Sequence, residues 1–218
     1  MTLAIFDLDN TLLAGDSDHA WGEFLVDAEL VDPESHRKQN DQFYQDYLNG
    51  ELDVMRYQRF ALAPLIGHDM QKLDAWREAF MASRARPMYQ QKASDLLDHH
   101  RRRGHILMII TATNRFVTGP IAEELGIEHL IATEPELCDG YYTGEVSGVP
   151  SFQEGKVLRL REWLKDHQET LEGAWFYSDS HNDLPLLRLV DHPVAVDPDP
   201  TLEARARENG WPVISLRD

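Results

Sequence analysis

The sequence contains one cysteine, Cys138, so no disulfide can form within the chain. Proteins without disulfides are typical of a reducing compartment. The opening residues, MTLAIFDLDN, lack a basic segment and place Asp7 too early for a secretory signal, and the sequence has no apolar run long enough to span a bilayer. These absences predict a cytoplasmic protein with no membrane partner.

Positive charge is also scarce, with 21 Lys and Arg against 38 Asp and Glu, which gives a net charge of −17. A surface of that sign repels nucleic acid, so we expect no nucleic-acid partner. The basic run at residues 99–103 is followed by Gly104, an arrangement typical of a helix end, where cations complement the helix dipole. No spacing of His and Cys indicates a zinc site.

Length and composition are those of a globular chain, with 218 residues of which 42% are hydrophobic and 27% charged. That length accommodates a core with a smaller insert, and we expect a monomer or homodimer. Short apolar runs alternate with helical periodicity, which predicts a parallel sheet covered on both faces, a three-layer Rossmann-like α/β core. Strands are predicted at 3–6, 106–110, 129–132, 174–177 and 194–196, and helices at 90–103, 117–125, 155–166 and 184–189.

Residues 15–87 interrupt this alternation, because aromatic and aliphatic residues recur there at helical spacing. Pro33, Gly50 and Gly67 separate the groups and indicate turns, so four helices are predicted after the first strand. Their aromatic side chains are interpreted mainly as the core of a small bundle. A hairpin is predicted near residues 141–146, where two tyrosines precede a Thr-Gly pair.

Polar residues follow the predicted strands beyond their carboxyl ends, where open α/β sheets bind ligands. DLDNT at 7–11 follows the first strand, TATN at 111–114 the second and DSHND at 179–183 the fourth, while Lys156 opens the helix before that fourth strand. Carboxylates gathered at one sheet edge repel one another unless a cation lies among them, and oxygen ligands suit Mg²⁺. The pattern therefore predicts a magnesium site at this edge.

The DLDNT segment resembles the DxDxT signature of haloacid dehalogenase superfamily phosphatases. Thr111 resembles the second motif of that family, Lys156 the third, and Asp179 with Asp183 the fourth, all in the family's order. The helical insert resembles the cap of subfamily IB, the phosphoserine-phosphatase-like branch. The resemblance implies a core domain formed by residues 1–14 and 88–218, and a helical cap domain at 15–87 that closes over the strand ends.

The resemblance also implies a phosphomonoesterase that acts through an aspartyl-phosphate. Asp7 is the expected nucleophile, and Asp9 is expected to give a proton to the leaving alcohol and later to take one from water. Thr111 and Lys156 are expected to contact the phosphoryl group, with Ala112 beside them as a further substrate contact. Phosphoryl transfer needs mainly charge stabilisation and alignment, so this small set of groups is sufficient.

The metal ligands implied by the resemblance are Asp7, Asp179 and the main-chain carbonyl of Asp9, which would hold Mg²⁺. Asn182 and Asp183 are expected to orient these ligands or a metal-bound water, and Asn182 also to contact the substrate. The expected partner is a small-molecule phosphate ester.

Asp16 stands where phosphoserine phosphatases carry an acidic residue for the substrate ammonium, whereas Ala61 stands where they carry an arginine for the carboxylate. Arg56 and Arg59 are nearby but point to other faces of the helix. An acceptor for ammonium without a partner for carboxylate predicts an amine-bearing ester, with histidinol phosphate favoured and hence a place in histidine biosynthesis. Its imidazole would stack on an aromatic residue of the insert such as Trp21, Phe43 or Tyr47. The competing interpretation is that Asp16 simply caps a helix.

Other functions stay open. Phosphoserine, another small metabolite or a lysophospholipid is the alternative substrate, and a phosphotransferase would pass the phosphoryl group to an alcohol. Dehalogenation is disfavoured, because dehalogenases of the superfamily lack the second acid that Asp9 supplies. A phospho-ligand-binding regulatory protein would keep the fold without turnover, and the complete set of acids and lysine weighs against it.

Overall fold

The computed structural model describes residues 1–217, and Asp218, the last residue of the predicted core range 88–218, lies outside them. Across residues 1–217, seven strands form one sheet in the order β4-β3-β2-β1-β5-β6-β7. Neighbouring strands are parallel except β3 and β4, which form an antiparallel hairpin. The strands are β1 Leu3–Phe6, β2 Ile106–Asn114, β3 His129–Cys138, β4 Tyr141–Ser147, β5 Trp175–Ser178, β6 His192–Val196 and β7 Val213–Ile214.

The helices cover both faces of this sheet. They are α1 Ser17–Asp27, α2 Pro33–Leu48, α3 Val54–Leu62, α4 Met70–Phe80, α5 Gln91–Arg102, α6 Arg115–Glu124, α7 Glu154–His167, α8 Leu184–Leu187 and α9 Pro200–Asn209. The first four lie between β1 and β2, as the sequence predicts. Each of these four begins after an aspartate whose carboxylate accepts hydrogen bonds from the first turn, namely Asp16, Asp32, Asp53 and Asp69. Aspartate is a preferred cap because it satisfies N–H groups that have no partner inside the helix.

The core has two layers because successive side chains of β1 point to opposite faces of the sheet. Ala4 and Phe6 join a buried cluster with α1, α4, α5 and α6, whereas Leu3 and Ile5 join a second cluster with α7, α8 and α9. Trp21 of α1 belongs to the first cluster, and its ring lies 5.5 Å from that of Phe116 on α6. The aromatic side chains of the insert therefore pack on the sheet layer as well as on one another.

The predicted α/β class is confirmed, and the differences concern boundaries. β2 continues past residue 110 to Asn114 through an irregular register, and β3 continues past residue 132 because its second half pairs with β4. The hairpin predicted near 141–146 therefore adds a strand, so Asp179 follows the fifth strand instead of the fourth. The basic run at 99–103 lies at the end of α5, as predicted. Within residues 1–217 no helix is both long and apolar enough to cross a membrane.

Candidate active site

Asp7 lies directly after the central strand β1. Its N–H donates to the carbonyl oxygen of Tyr177 on β5 at 2.9 Å, which fixes the backbone at the carboxyl end of the sheet. Oδ1 of Asp7 lies 2.8 Å from Nζ of Lys156 in α7, and the same ammonium lies 2.7 Å from Oδ1 of Asp183. Only 4% of Asp7 is exposed. One buried ammonium therefore lies between two buried carboxylates.

Burial and the neighbouring charges shift the pKa values of Asp7 and Lys156. Burial raises the pKa of Asp7 to about 7, although Lys156 lowers it and Asp183 raises it further. Burial alone would lower the pKa of Lys156, but Asp183 and Asp7 raise it above its ordinary value. The ammonium is therefore charged at neutral pH, and additional positive charge near Asp7 would favour the ionised carboxylate.

Asp179 lies at the same edge, one residue beyond β5. Its Oδ1 accepts a hydrogen bond from Oγ1 of Thr11 at 3.1 Å, and its N–H donates to the same hydroxyl oxygen at 3.1 Å. Burial, followed by the charges of Asp7 and Asp183, raises the pKa of Asp179 well above its ordinary value. Asp7, Asp179 and Asp183 therefore bring three carboxyl groups to this edge, and the Lys156 ammonium contacts two of them, Asp7 and Asp183.

This excess of buried negative charge suits a divalent cation. The oxygen donors of Asp7 and Asp179 and the carbonyl of Asp9 are of the kind that Mg²⁺ prefers. Within residues 1–217, a different group of side chains has its possible ligand atoms close together. It consists of His19, Glu23 and Asp41, whose ligand atoms all lie within 4.8 Å of one another. That group is partly exposed on α1 and α2, and Nε2 of His19 already lies 3.1 Å from Oδ1 of Asp41.

The Asp9 carboxylate is occupied by hydrogen bonds. Oδ1 accepts from the N–H of Ser17, the first residue of α1, at 2.6 Å. Oδ2 accepts from Oγ1 of Thr113 at 2.7 Å and from Oγ1 of Thr111 at 3.4 Å. The predicted pair Asp9 and Thr111 is thus brought together, but Thr113, which sequence reasoning passed over, makes the shorter contact. Its position two residues after Thr111 was the available signal, since alternate strand residues share a face.

A sharp turn follows Asp9. Asn10 adopts the left-handed conformation with φ of 55°, which asparagine tolerates better than most residues. The guanidinium of Arg217 donates to the carbonyl oxygen of Asn10 at 2.5 Å and to that of Leu13 at 3.0 Å. Arg217 therefore holds the loop that carries Asp7 and Asp9, a role that no local sequence signal indicates.

A pocket opens between these strand ends and the insert. Helix α2 presents one face to it, formed by the residues Asn40, Phe43, Tyr44 and Tyr47. Phe43 and Tyr47 line the pocket, as the substrate prediction requires. Trp21 does not: it is 2% exposed and packs against Phe24 and Phe80 in the hydrophobic cluster, so the expected stacking on Trp21 is wrong.

Asp16 caps a helix and also lines the pocket, so it has the feature that each of the two interpretations of the sequence requires. Its Oδ1 caps α1 by accepting from the N–H groups of Asp18 and His19 at 2.9 and 2.8 Å, and its side chain also lines the pocket. Burial and then the charge of Asp9 raise its pKa to about 7. Asp18, which the sequence did not single out, lines the same pocket, and burial with the charge of Asp16 raises its pKa well above the ordinary value.

Helix α3 presents a neutral face to the pocket. Gln58 is buried and donates from Nε2 to the carbonyl oxygen of Ala112 at 3.3 Å. The nearby arginines point elsewhere: Arg59 pairs with Glu145 at 3.0 Å on the surface, and Arg56 is exposed beside the ring of Phe43. No arginine of α3 lines the pocket within the described chain.

Asn182 joins the sheet edge to the insert. Its Nδ2 donates to the carbonyl oxygen of Tyr47 at 3.3 Å, and its Oδ1 accepts from Nε2 of Gln153 at 2.9 Å. Gly50 lies nearby, so close that a Cβ added to it would lie 3.0 Å from Nε2 of His181. These contacts hold the turn between α2 and α3 against the strand ends.

Known proteins resemble this chain over almost its whole length. A family model described as haloacid dehalogenase-like hydrolase matches residues 4–188. A histidinol-phosphatase of Neisseria meningitidis serogroup C (strain 8013) is 45% identical over 219 residues, which cover 99% of each chain. The crystal structure of a protein of unknown function from Bordetella pertussis Tohama I matches with a TM-score of 0.92 and 44% identity, over 99% of this chain and 100% of that one. A phospho-aspartyl intermediate analogue of phosphoserine phosphatase matches in fold, with a TM-score of 0.72 and 17% identity, over 99% of this chain and 93% of that one.

Proposed function

The chain belongs to the haloacid dehalogenase-like hydrolase family and is a phosphatase, and from this premise we propose that it hydrolyses histidinol phosphate, a small amine-bearing ester. The observation that carries the proposal is the buried contact of Asp7 with Lys156 beside a pocket lined by further acids. The phosphoryl group would lie at Lys156, and the ammonium at Asp16. The 45% identity to a protein named histidinol-phosphatase supports this substrate. A cytoplasmic location and a place in histidine biosynthesis belong to the same proposal.

In the first step, the Asp7 carboxylate attacks phosphorus while the bond from phosphorus to the alcohol oxygen breaks. Lys156 compensates the charge of the phosphoryl oxygens and keeps Asp7 oriented through its 2.8 Å contact. Asp9 gives its proton to the departing alcohol oxygen. The hydroxyl of Thr111 contacts a phosphoryl oxygen.

In the second step, water attacks the aspartyl-phosphate and Asp9 takes its proton, which releases phosphate and restores Asp7. The Ser17 N–H and the Thr113 hydroxyl donate to the Asp9 carboxylate and hold it in place for these proton transfers. Asn182 and Asp183 support this arrangement through Gln153 and Lys156.

The proposal includes Mg²⁺ as cofactor, held by Asp7, Asp179 and the Asp9 carbonyl. Bound there, the ion would supply positive charge to the phosphoryl group and to Asp7. Residues 15–87 are proposed as the cap that excludes water and contacts the leaving group. The contacts of Gln58 with Ala112 and of Asn182 with Tyr47 support that view.

The test is phosphate release from histidinol phosphate, phosphoserine, glycerol phosphate, lysophosphatidate and p-nitrophenyl phosphate. We expect the highest kcat/KM for histidinol phosphate. EDTA should abolish release, Mg²⁺ should restore it, and Ca²⁺ should restore it poorly because its looser coordination misplaces the reacting groups. A preference for phosphoserine would contradict the proposal that histidinol phosphate is the substrate. Full activity of metal-stripped protein would contradict the proposal that Mg²⁺ is required. Adding acceptor alcohols and looking for their phosphate esters separates hydrolysis from transfer.

A further inference from the structure

Two buried polar atoms of the pocket wall have no hydrogen-bond partner within residues 1–217: Oδ1 of Asp18 and Oε1 of Gln58. Asp18 is 8% exposed and Gln58 is 1% exposed. Both residues line the pocket that also contains Asp7 and Lys156. Because buried polar atoms of folded proteins are nearly always paired, two such atoms in one pocket indicate that a ligand supplies their partners.

The surroundings of these two residues fix them in place. The Nε2 group of Gln58 donates to the Ala112 carbonyl at 3.3 Å, which leaves Oε1 as the free acceptor of the amide. The hydroxyls of Tyr57 and Thr113 lie near Asp18, and Thr113 itself donates to Asp9. The two free atoms are therefore held in the pocket wall beside the reacting groups.

A purely structural explanation of Asp18 is the helix dipole, since acids in the first turn of a helix are favoured. A comparison of Asp18 with Glu34, another acid in the first turn of an insert helix, argues against this explanation. Glu34 occupies the first turn of α2 and is exposed, where a charge is solvated. Asp18 is buried beside Asp16, so its charge opposes folding instead of assisting it. A residue that weakens the free protein in this way is explained by a ligand that pairs with it.

Resting on the proposed function, we propose that Asp18 and Gln58 form a binding site for the imidazole ring of the leaving group. A protonated imidazole has two N–H donors. One ring N–H donates to Oε1 of Gln58, and the other donates to Oδ1 of the Asp18 carboxylate. The ammonium remains the partner of Asp16. An amino alcohol phosphate with an aliphatic side chain leaves both Asp18 and Gln58 unpaired, so the site selects for the ring.

The experiment compares histidinol phosphate with leucinol phosphate, which keeps the amine and replaces the ring by a branched alkyl group. The variants are Asp18→Asn and Gln58→Met, with Val54→Ala as an apolar change in the same pocket wall and Glu23→Gln as a charge change on α1. Asp18→Asn and Gln58→Met should each lower kcat/KM for histidinol phosphate by roughly 10- to 100-fold, and for leucinol phosphate by less than about threefold. Val54→Ala should affect both substrates alike, and Glu23→Gln neither.

Binding of histidinol, measured by calorimetry, gives a second readout that needs no turnover, and it should weaken in the same two variants. Asp18→Asn removes a buried charge at nearly constant volume, so we expect it to fold and to unfold at no lower temperature than wild type. Equal losses on both substrates, or unchanged histidinol binding, overturn the imidazole site while the phosphatase proposal stands. If the wild-type protein prefers p-nitrophenyl phosphate to both amine-bearing esters, the proposed substrate itself is wrong.

Discussion

At the residue scale, replacing Asp7 by asparagine and replacing Asp9 by asparagine should affect turnover differently. Asp7→Asn keeps the volume but removes the charge that is proposed to attack phosphorus, so turnover should fall by roughly 10⁴-fold or more. Asp9→Asn should lower kcat on histidinol phosphate by roughly 10²- to 10⁴-fold, and less on p-nitrophenyl phosphate, whose leaving group needs no proton. Phosphate release measures both, and calorimetry should show that Asp9→Asn still binds Mg²⁺. Near-normal turnover by Asp7→Asn would show that another group is the nucleophile.

Asp16 predicts a pH dependence of stability. Burial and the charge of Asp9 raise its pKa to about 7 in the folded protein, whereas the unfolded chain releases this proton at its ordinary pKa of about 3.8. Between these two pH values the folded state holds a proton that the unfolded state has lost, so the free energy of unfolding falls as pH rises through that window. Asp16→Asn keeps a capping oxygen and removes the charge, so it should stabilise the metal- and substrate-free protein at neutral pH by on the order of 1 kcal/mol.

Chemical denaturation across this pH range measures the effect, and Asp69→Asn is the matched control. Asp69 caps α4 in the same way, through a 2.8 Å bond to the N–H of Lys72, but it is exposed. The gain in stability should therefore grow with pH for Asp16→Asn and stay near zero for Asp69→Asn. Equal effects of the two substitutions would assign the behaviour of Asp16 to capping alone. The same Asp16→Asn protein should lose kcat/KM on amine-bearing esters.

Residues at strand ends were predictable from sequence because a parallel sheet brings its carboxyl ends to one edge whatever the loops do. Asp7 and Asp183, which follow β1 and β5, meet there, and Lys156 reaches them from the first turn of α7. Asp18 and Gln58 were not predictable. Which face of an insert helix reaches the pocket depends on how that helix packs, and burial of an aspartate in a first turn has no signature in the residue pattern.

At the scale of elements, the turn between α2 and α3 should control how the insert meets the sheet edge. Gly50 has φ of +73°, and a Cβ there would meet His181, which Asp199 holds through a 2.8 Å contact to Nδ1. Gly50→Ala should therefore cost about 1 kcal/mol of stability and also lower kcat/KM for histidinol phosphate several-fold. The control is Gly67→Ala, which has φ of +76° and nothing within 4 Å of its Cβ.

Both alanine variants should lose similar stability in thermal unfolding, but only Gly50→Ala should lose activity. Adding His181→Ala to Gly50→Ala should restore part of the activity by removing the steric conflict. If Gly67→Ala impairs turnover equally, the effect belongs to general backbone strain.

Elements with strong local signals were predicted well. The groups of insert residues at helical spacing were separated by Pro33, Gly50 and Gly67, so the number of four helices followed from these turn signals. The lengths of β2 and β3 could not be predicted in this way, because their outer halves depend on an irregular register and on pairing with β4. Neither feature is encoded in the hydrophobic pattern of the strand itself.

At the scale of the whole molecule, the net charge of −17 should affect substrates unequally. The negative field repels the dianion p-nitrophenyl phosphate, whereas the ammonium of histidinol phosphate cancels part of the charge of its phosphate. Raising NaCl from about 10 to about 200 mM, which shortens the screening length from about 30 Å to below 10 Å, should raise kcat/KM severalfold for p-nitrophenyl phosphate and little for histidinol phosphate. Potassium chloride should act identically, and equal responses of both esters would contradict this explanation.

The position of β1 at the centre of the sheet has a consequence for how the protein is made. Thr11 and Asp179, which bond to each other, are 168 residues apart in sequence, and β1 needs both β2 and β5 as neighbours. At about 5–20 residues per second, a ribosome takes roughly 10–30 s to add the residues between them. During that time the apolar strand β1 lacks at least one of its two neighbours. We therefore expect nascent chains that stop before β5 to be inactive, prone to aggregate and dependent on chaperones.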